Sequence, residues 1–359
     1  MTTTDIVAPT EEEIGAAAGQ ILGLYTGGML SYMIDIGHST GLLSAAAQGW
    51  ATSQELATRA GLTERYVREW LGAMVTGGLV DYDTERETYL LPPVRAAVLT
   101  DGPMNLAPMA QFGTHLAKHV HQVARAFREG GGVPYAEYRP EFTDVMDAAS
   151  RTVYDNTLVE GCLPLVAGLT EQLGAGARVA DVACGTGHAL VLLAKAFPAS
   201  TFVGYDFDQG AIARARAEAA GAELRNVTFE VRDVATLTVD EPFDVVFVFD
   251  AIHDQVAPAT VLARIHDVLA PGGLFFMKEP RAADRLEDNR ANPMAPLMYS
   301  VSTLHCMTVS LAHDGAGIGT VFGEGLAREM LSDAGFTEIA VCEAPADPLN
   351  AVYTSRRPS

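Results

Sequence analysis

Residues 179–188 read Val179-Ala180-Asp181-Val182-Ala183-Cys184-Gly185-Thr186-Gly187-His188, an apolar run ending in a carboxylate and then in a small-residue turn that opens a helix. Gly185 and Gly187 lack a Cβ, so the backbone can turn tightly and approach a ligand, and the helix predicted over Ala189 to Phe197 presents its N-terminal N–H groups. Alone, such a turn is a weak signal. It gains weight from Thr201 to Asp206, a second apolar strand ending in an acid roughly 20 residues past the glycines, where a carboxylate accepts hydrogen bonds from ribose hydroxyls.

Two further strands follow, Val227 to Asp233, again ending in an acid, and Phe243 to Asp250, nearly continuous in apolar residues. Runs apolar on both faces belong to a covered parallel sheet. A helix, Ala259 to Leu269, leads through Pro271-Gly272-Gly273 into a fifth strand, Leu274 to Lys278, and a late pair lies at Glu338 to Cys342 and Ala351 to Thr354. A ligand is expected across the carboxyl ends of the first four strands, at the switch point.

In order and spacing these pieces resemble the class I S-adenosylmethionine-dependent methyltransferases over about residues 150 to 356, with Asp181-x-x-Cys184-Gly185-Thr186-Gly187, Asp206, Asp233 and Pro271-Gly272-Gly273 in place. The resemblance implies an α/β, Rossmann-like, seven-stranded domain that takes S-adenosylmethionine and releases S-adenosylhomocysteine. It puts the methionine moiety over Gly185 and Gly187, the ribose on Asp206 and the adenine amino group on Asp233, with Asp181, Ala183, Phe207, Val234 and Asp250 completing the cofactor set. Ala183 stands where the family often has Gly, a difference of one methyl. A nicotinamide dinucleotide fold also uses a glycine turn and a ribose acid, but its third glycine is replaced by Leu190, and it leaves Asp233 and the Pro-Gly-Gly turn unexplained. A blander role for Asp206 and Asp233 is to cap the helices that follow them.

The 359 residues exceed one domain by the usual prior, and 48% apolar content with 19% charged residues implies a large buried surface. No stretch is long and apolar enough to span a membrane, and Met1 to Glu13 carries acids rather than a basic, apolar leader, so a cytoplasmic location is expected. Cys162, Cys184, Cys306 and Cys342 are far apart without metal spacing, which suits free thiols in a reducing compartment.

Upstream, Thr52 to Leu62 and Thr63 to Leu71 read as two short helices, each begun by a hydroxyl capping residue. Leu79 to Tyr82 and Thr88 to Leu91 then form a hairpin, completing a winged helix. Such modules often bind DNA, but between Thr40 and Thr100 five arginines face seven acids, and the whole chain carries −21. No nucleic-acid partner is therefore expected. The apolar, glycine-interrupted helices Ile21 to Tyr32 and Ile34 to Ala47 suit another protein chain better than solvent, which points to a homodimer. The layout resembles two-domain small-molecule O-methyltransferases, and more closely an actinobacterial group of winged-helix methyltransferases. The expected organisation is a dimerising helical and winged-helix domain at 1–100, a helical connector at 101–150, and a methyltransferase domain at 151–359.

The chemistry is expected at Asp250-Ala251-Ile252-His253-Asp254-Gln255, in the loop leaving the fourth strand. Methyl transfer from a sulfonium is an in-line displacement that alignment can assist by roughly 7–11 kcal/mol, and a base helps where the acceptor is a hydroxyl. The resemblance implies His253 as that base and Glu279, at the end of the fifth strand, as the group orienting its ring. A second orienting Glu of the family is missing, since Val321 stands at its place. Alternatively, His253 only lines the cofactor pocket.

The insertion Arg281 to Thr320 is long enough to be functional, and its sulfur-rich segment Pro296 to Leu311 offers a pocket roof in which Met298 and His305 would meet substrate. The same spacing also fits an ordinary core helix, with His305 a buried structural histidine. His115, His119 and His121 lie on a helix predicted from Pro108 to Phe127, but only His115 and His119 share a face and that pair lacks a third ligand, so no metal is expected. Two functions remain: a small-molecule methyltransferase, by O-methylation, or a DNA-binding regulator that senses S-adenosylmethionine.

Overall fold

The structure, a computed structural model, describes residues 8–102, 104–345 and 347–359. Of the acidic stretch Met1 to Glu13, the first seven residues lie outside the described ones. The chain divides into two units, Met1–Thr114 and His115–Ser359, a boundary inside the segment expected as a connector.

The first unit opens with α1 (Glu11–Ser39), begun by a capping box in which Thr10 and Glu13 satisfy each other's backbone N–H groups. Two helices were expected here, at Ile21 to Tyr32 and Ile34 to Ala47. Instead one helix runs through the glycines, because glycines weaken a helix without necessarily ending it, and the break comes at Gly41, whose φ of 73° is left-handed. After it come α2 (Leu42–Ala47), α3 (Ser53–Ala60) and α4 (Glu64–Thr76), then the hairpin β1 (Asp81–Asp83) and β2 (Thr88–Leu90), and α5 (Pro93–Leu99). Leu42, Leu56, Val67, Trp70, Leu71 and Met74 pack into one core. The Trp70 indole N–H donates to Met33 O at 2.8 Å, and Gly37 gives the ring room, since a Cβ there would meet it at 2.8 Å. On α4 both arginines are paired with acids of the same helix, Arg65 with Glu69 at 2.5 Å and Arg68 with Glu64 at 3.3 Å.

The helix expected from Pro108 to Phe127 is broken into α6 (Ala110–Ala117) and α7 (Val120–Glu129). The break is a tightened turn in which Lys118 and His119 N–H groups reach back only three residues, to His115 and Leu116. In the second unit α8 (Glu141–Thr157) and α9 (Leu169–Ala175) precede an alternation of strands and helices: β3 (Arg178–Val182), α10 (His188–Ala196), β4 (Thr201–Asp206), α11 (Gln209–Gly221), β5 (Val227–Val231), β6 (Phe243–Phe249), α12 (Pro258–Val268) and β7 (Leu269–Pro280). The insertion contributes α13 (Leu286–Asn289), α14 (Ala295–Val301), a π turn at Ser302–Cys306 and α15 (Met307–Leu311); α16 (Glu324–Asp333), β8 (Thr337–Glu343) and β9 (Asn350–Arg356) follow.

These strands form one seven-stranded sheet in the order β5-β4-β3-β6-β7-β9-β8, parallel except that β9 runs antiparallel to both neighbours. Apolar side chains cover both faces. Val179, Val245, Phe247 and Phe276 lie in one core with α10, and Ala180, Val246, Phe275 and Met277 lie in the other with α12 and α16. The chain order reverses between β3 and β6, so the carboxyl ends of β4, β3, β6 and β7 bring Asp206, Asp181, Asp250 and Glu279 to one edge of the sheet.

Candidate active site

The turn after β3 is built for close approach. Ala183, Gly185 and Gly187 all have left-handed backbones, with φ of 62°, 53° and 74°. A Cβ on Gly185 would meet nothing within 4 Å, leaving open space above the turn. Gly187 has a different reason to be glycine: a Cβ there would meet Phe229 at 2.5 Å and Ala215 at 2.7 Å. Ala183 holds a conformation that costs an L-residue roughly 1–2 kcal/mol, so the methyl is less neutral than the sequence suggested.

Asp206 ties the second strand to this turn. Its Oδ2 accepts the Gly185 N–H at 2.8 Å and its Oδ1 the Asp208 N–H at 2.8 Å, while Asp208 itself caps α11. Burial pushes the Asp206 pKa up and those backbone bonds pull it back. Asp181 is buried, with its Oδ1 lacking any partner among the described residues, and burial with the nearby Asp206 raises its pKa well above the carboxylate range. A buried acceptor without a donor is costly, and the amino group of a bound amino-acid moiety would satisfy it. Phe207 is exposed beside Asp206 and meets the Tyr135 ring edge-on at 5.6 Å. Asp233 is exposed and caps the turn Val234–Thr236 through the Ala235 N–H at 2.9 Å, with Val234 buried below.

The loop after β6 gathers the titratable groups. Asp250 has a left-handed backbone, and burial, with Glu279 and Asp254 adding to it against the pull of His253, raises its pKa to about 6. His253 is buried between acids: Nδ1 lies 2.5 Å from Glu279 Oε2 and Nε2 3.2 Å from Asp254 Oδ1. Burial opposes charge on this ring, but Asp254 and Glu279 outweigh it and hold the pKa well above the histidine range. Glu279 is fully buried, and its Oε1 accepts the N–H groups of Ala251 at 3.2 Å and Ile252 at 2.7 Å, so one carboxylate fixes both the loop and the ring.

The π turn brings His305 and Cys306 to the same place. His305 is fully buried, stacks on Phe142 at 3.8 Å and meets Tyr138 edge-on at 4.7 Å. Neither of its nitrogens has a hydrogen-bond partner among the described residues, and burial lowers its pKa to about 4, leaving a neutral ring 3.8 Å from Asp254 Oδ2. Cys306 receives the Thr320 hydroxyl at 2.9 Å, and its Sγ, an Asp254 oxygen and a His253 nitrogen all lie within 4.8 Å of one another. Burial pushes that thiol up to about 12. Thus the residue beside Val321, Thr320, reaches the site only through Cys306. Met298 is elsewhere: it lines a cavity of about 730 Å³ against α16, β8 and β9 whose walls include neither His253 nor Asp206.

Some neighbours of the site had no signal in the sequence. Arg139 holds Asp208 at 3.2 Å and lies 5.4 Å above both Tyr135 and Phe207. Asp147 and Arg151 on α8 reach the glycine turn and α11.

An open glycine turn, an unpartnered buried acid and a second carboxylate thus lie together at the switch point of a class I methyltransferase fold. The comparisons with known proteins agree. Residues 28–101 match the Rv2258c-like winged HTH domain family and residues 173–335 a methyltransferase domain family. The chain belongs to the S-adenosylmethionine-dependent methyltransferases with an N-terminal winged-helix domain. It is similar to trans-aconitate 2-methyltransferase of Methylobacterium nodulans, 34% identical over 130 residues, covering 36% of this chain and 46% of that one. It is also similar to aklanonic acid methyltransferase of a Streptomyces species, 31% identical over 156 residues, 40% of this chain and 67% of that one. The chain thus spans less than half the length of the trans-aconitate relatives it matches. Human N-acetylserotonin methyltransferase, solved with S-adenosylmethionine, shares the fold across 95% of this chain and 98% of its own, with a TM-score of 0.71 and 19% identity.

We propose Asp206 as the ribose ligand of the cofactor. Asp206→Ala should weaken S-adenosylhomocysteine binding by roughly 1.5–3 kcal/mol, the scale of hydrogen bonds to a charged group. Calorimetric titration with unchanged affinity would remove that role.

Proposed function

We propose that this protein methylates a hydroxyl of a small molecule, with His253 as general base and Glu279 holding its ring. The observation that carries this reading is the buried His253, fixed by Glu279 at 2.5 Å on one ring nitrogen and facing Asp254 at 3.2 Å with the other. S-adenosylmethionine, when bound, supplies an electrophilic methyl group. Gly185, Asp181 and Asp206 would hold it, and His253 Nε2 would take the acceptor's proton as the hydroxyl displaces the Asp254 contact. His305 is proposed to meet the acceptor through its unpartnered nitrogens, whereas Met298, expected beside it, lines a separate cavity and is not part of this proposal. The acid substrates named for the relatives suit a small organic acceptor here too. The test is incubation with methyl-labelled cofactor and a panel of small hydroxyl, enol and carbon acids. Label on oxygen supports the proposal, and label only on carbon or nitrogen removes it.

A second reading rests on one observation: His253, Asp254 and Cys306 offer three donor atoms within 4.8 Å of one another, and His305 faces the same carboxylate. Nitrogen, oxygen and sulfur donors together suit a transition-metal ion such as zinc. Turnover that is lost on chelation and restored by a divalent ion would favour it.

We also propose a cytoplasmic homodimer joined through α1. Ile14, Leu22, Leu24, Tyr25 and Met29 are all more than half exposed, and beside them a Cβ on Gly15, Gly19, Gly23 or Gly27 would meet nothing within 4 Å, so another helix can approach closely. Sedimentation equilibrium should give a dimer at micromolar concentration and a monomer for Leu22→Glu with Tyr25→Glu; a monomeric parent ends the proposal. Paired arginines on α4 leave little charge for phosphates, which favours a protein-facing role for the winged helix.

A further inference from the structure

Helix α8 is bound to the glycine turn by one continuous polar network. The Thr186 hydroxyl, between Gly185 and Gly187, donates to Asp147 Oδ1 at 2.6 Å. Arg151, one helical turn beyond Asp147, holds both oxygens of that carboxylate, at 3.0 and 3.2 Å, and with its other edge forks onto Glu218 of α11 at 3.0 and 2.8 Å. His188, the first residue of α10, is drawn in by Glu218 at 2.6 Å and Asp155 at 2.9 Å. Arg214 adds a second cation to Asp147 at 3.3 Å. Although burial works against it, the Glu218 charge is held down to about pH 2 by Arg151 and His188.

Among the described residues, the Asp147 bond is the one side-chain hydrogen bond that Thr186 makes. The Asp206 bond to Gly185 anchors the turn from the sheet, and the Phe229 contact limits Gly187 from below. Glycines on both sides of Thr186 leave the backbone free to adopt many conformations, so an unsupported turn leaves this one readily. We propose that Asp147 and Arg151 are positioning residues for the cofactor: Arg151 orients the Asp147 carboxylate, and Asp147 pins Thr186 so that the turn keeps the shape that takes the methionine moiety. Arginine suits this place because its planar fork serves two carboxylates at once, which a lysine ammonium cannot do with the same geometry.

The test uses the full chain and two readouts: affinity for S-adenosylhomocysteine by calorimetric titration, and amide hydrogen exchange of Gly185 to Gly187 without ligand. Thr186→Val removes only the hydroxyl and should weaken binding by about tenfold or more while speeding exchange in the turn; Thr186→Ser, which restores the hydroxyl, should stay within about threefold of the parent. Arg151→Lys should behave like Thr186→Val, and combining the two should cost much less than the product of their separate effects, because both act through Asp147. If Thr186→Val and Arg151→Lys lower thermal stability but leave affinity and turn exchange at parent values, the network is structural support only and the proposal is overturned. Fully multiplicative losses would likewise remove the shared route through Asp147.

Discussion

Replacing His253 by alanine should lower kcat by at least about 10²-fold while leaving S-adenosylhomocysteine binding nearly intact, because a base is used mainly in the transition state. The acids around the ring also set its pH behaviour. A base must be neutral to accept a proton, and Asp254 with Glu279, against burial, holds this ring charged well above its ordinary range. The parent kcat/KM should therefore climb with pH above the usual histidine window rather than through it. Stability moves the other way. A raised folded pKa stabilises fully below the unfolded value, about 6.5, and this contribution fades as pH rises through the folded value. The stability difference between parent and His253→Ala should accordingly shrink from pH 6 upward into the alkaline range. Turnover of the variant within a few-fold of the parent would leave alignment as the source of catalysis.

The second large effect is expected at Glu279. Its carboxylate is fully buried and serves His253, Ala251 and Ile252 together, so Glu279→Ala strands a charged ring and two backbone donors. Breaking a buried pair by removing one partner costs about 3–5 kcal/mol. Chemical denaturation should show that loss, and a change below about 1 kcal/mol would mean that the loop is held by other means. Glu279→Gln separates fold from chemistry. An amide oxygen can still accept the two N–H groups, so much of the stability should return, whereas the ring loses its carboxylate partner and activity should stay low.

The strands were legible because their apolar runs end in acids: Asp181, Asp206 and Asp250 mark both the strand ends and the cleft. The fifth strand was underestimated, since β7 includes Leu269 to Gly273, which the Pro-Gly-Gly sequence presents as a turn. The length of α1 was hidden by its glycines, and the break before α7 by a periodicity that continues across it. At the site, His253 and Glu279 followed from their places at strand ends. Cys306 did not, because a π turn within the insertion, invisible to ordinary helical spacing, sets where it points. Arg151 was also hidden: its spacing from Asp147 reads as a surface ion pair, and only the folded chain brings Thr186 and Glu218 to it.

The position of β9 bears on how the molecule is made. Although it follows β8 in the chain, it lies between β7 and β8, and until Asn350 to Arg356 emerge from the ribosome neither neighbour has its partner. During synthesis β7, which carries Glu279, presents an open apolar edge able to pair with any other extended strand. Glu279 and the loop it holds thus sit beside a strand edge that stays uncovered during synthesis until the last strand of the sheet is made.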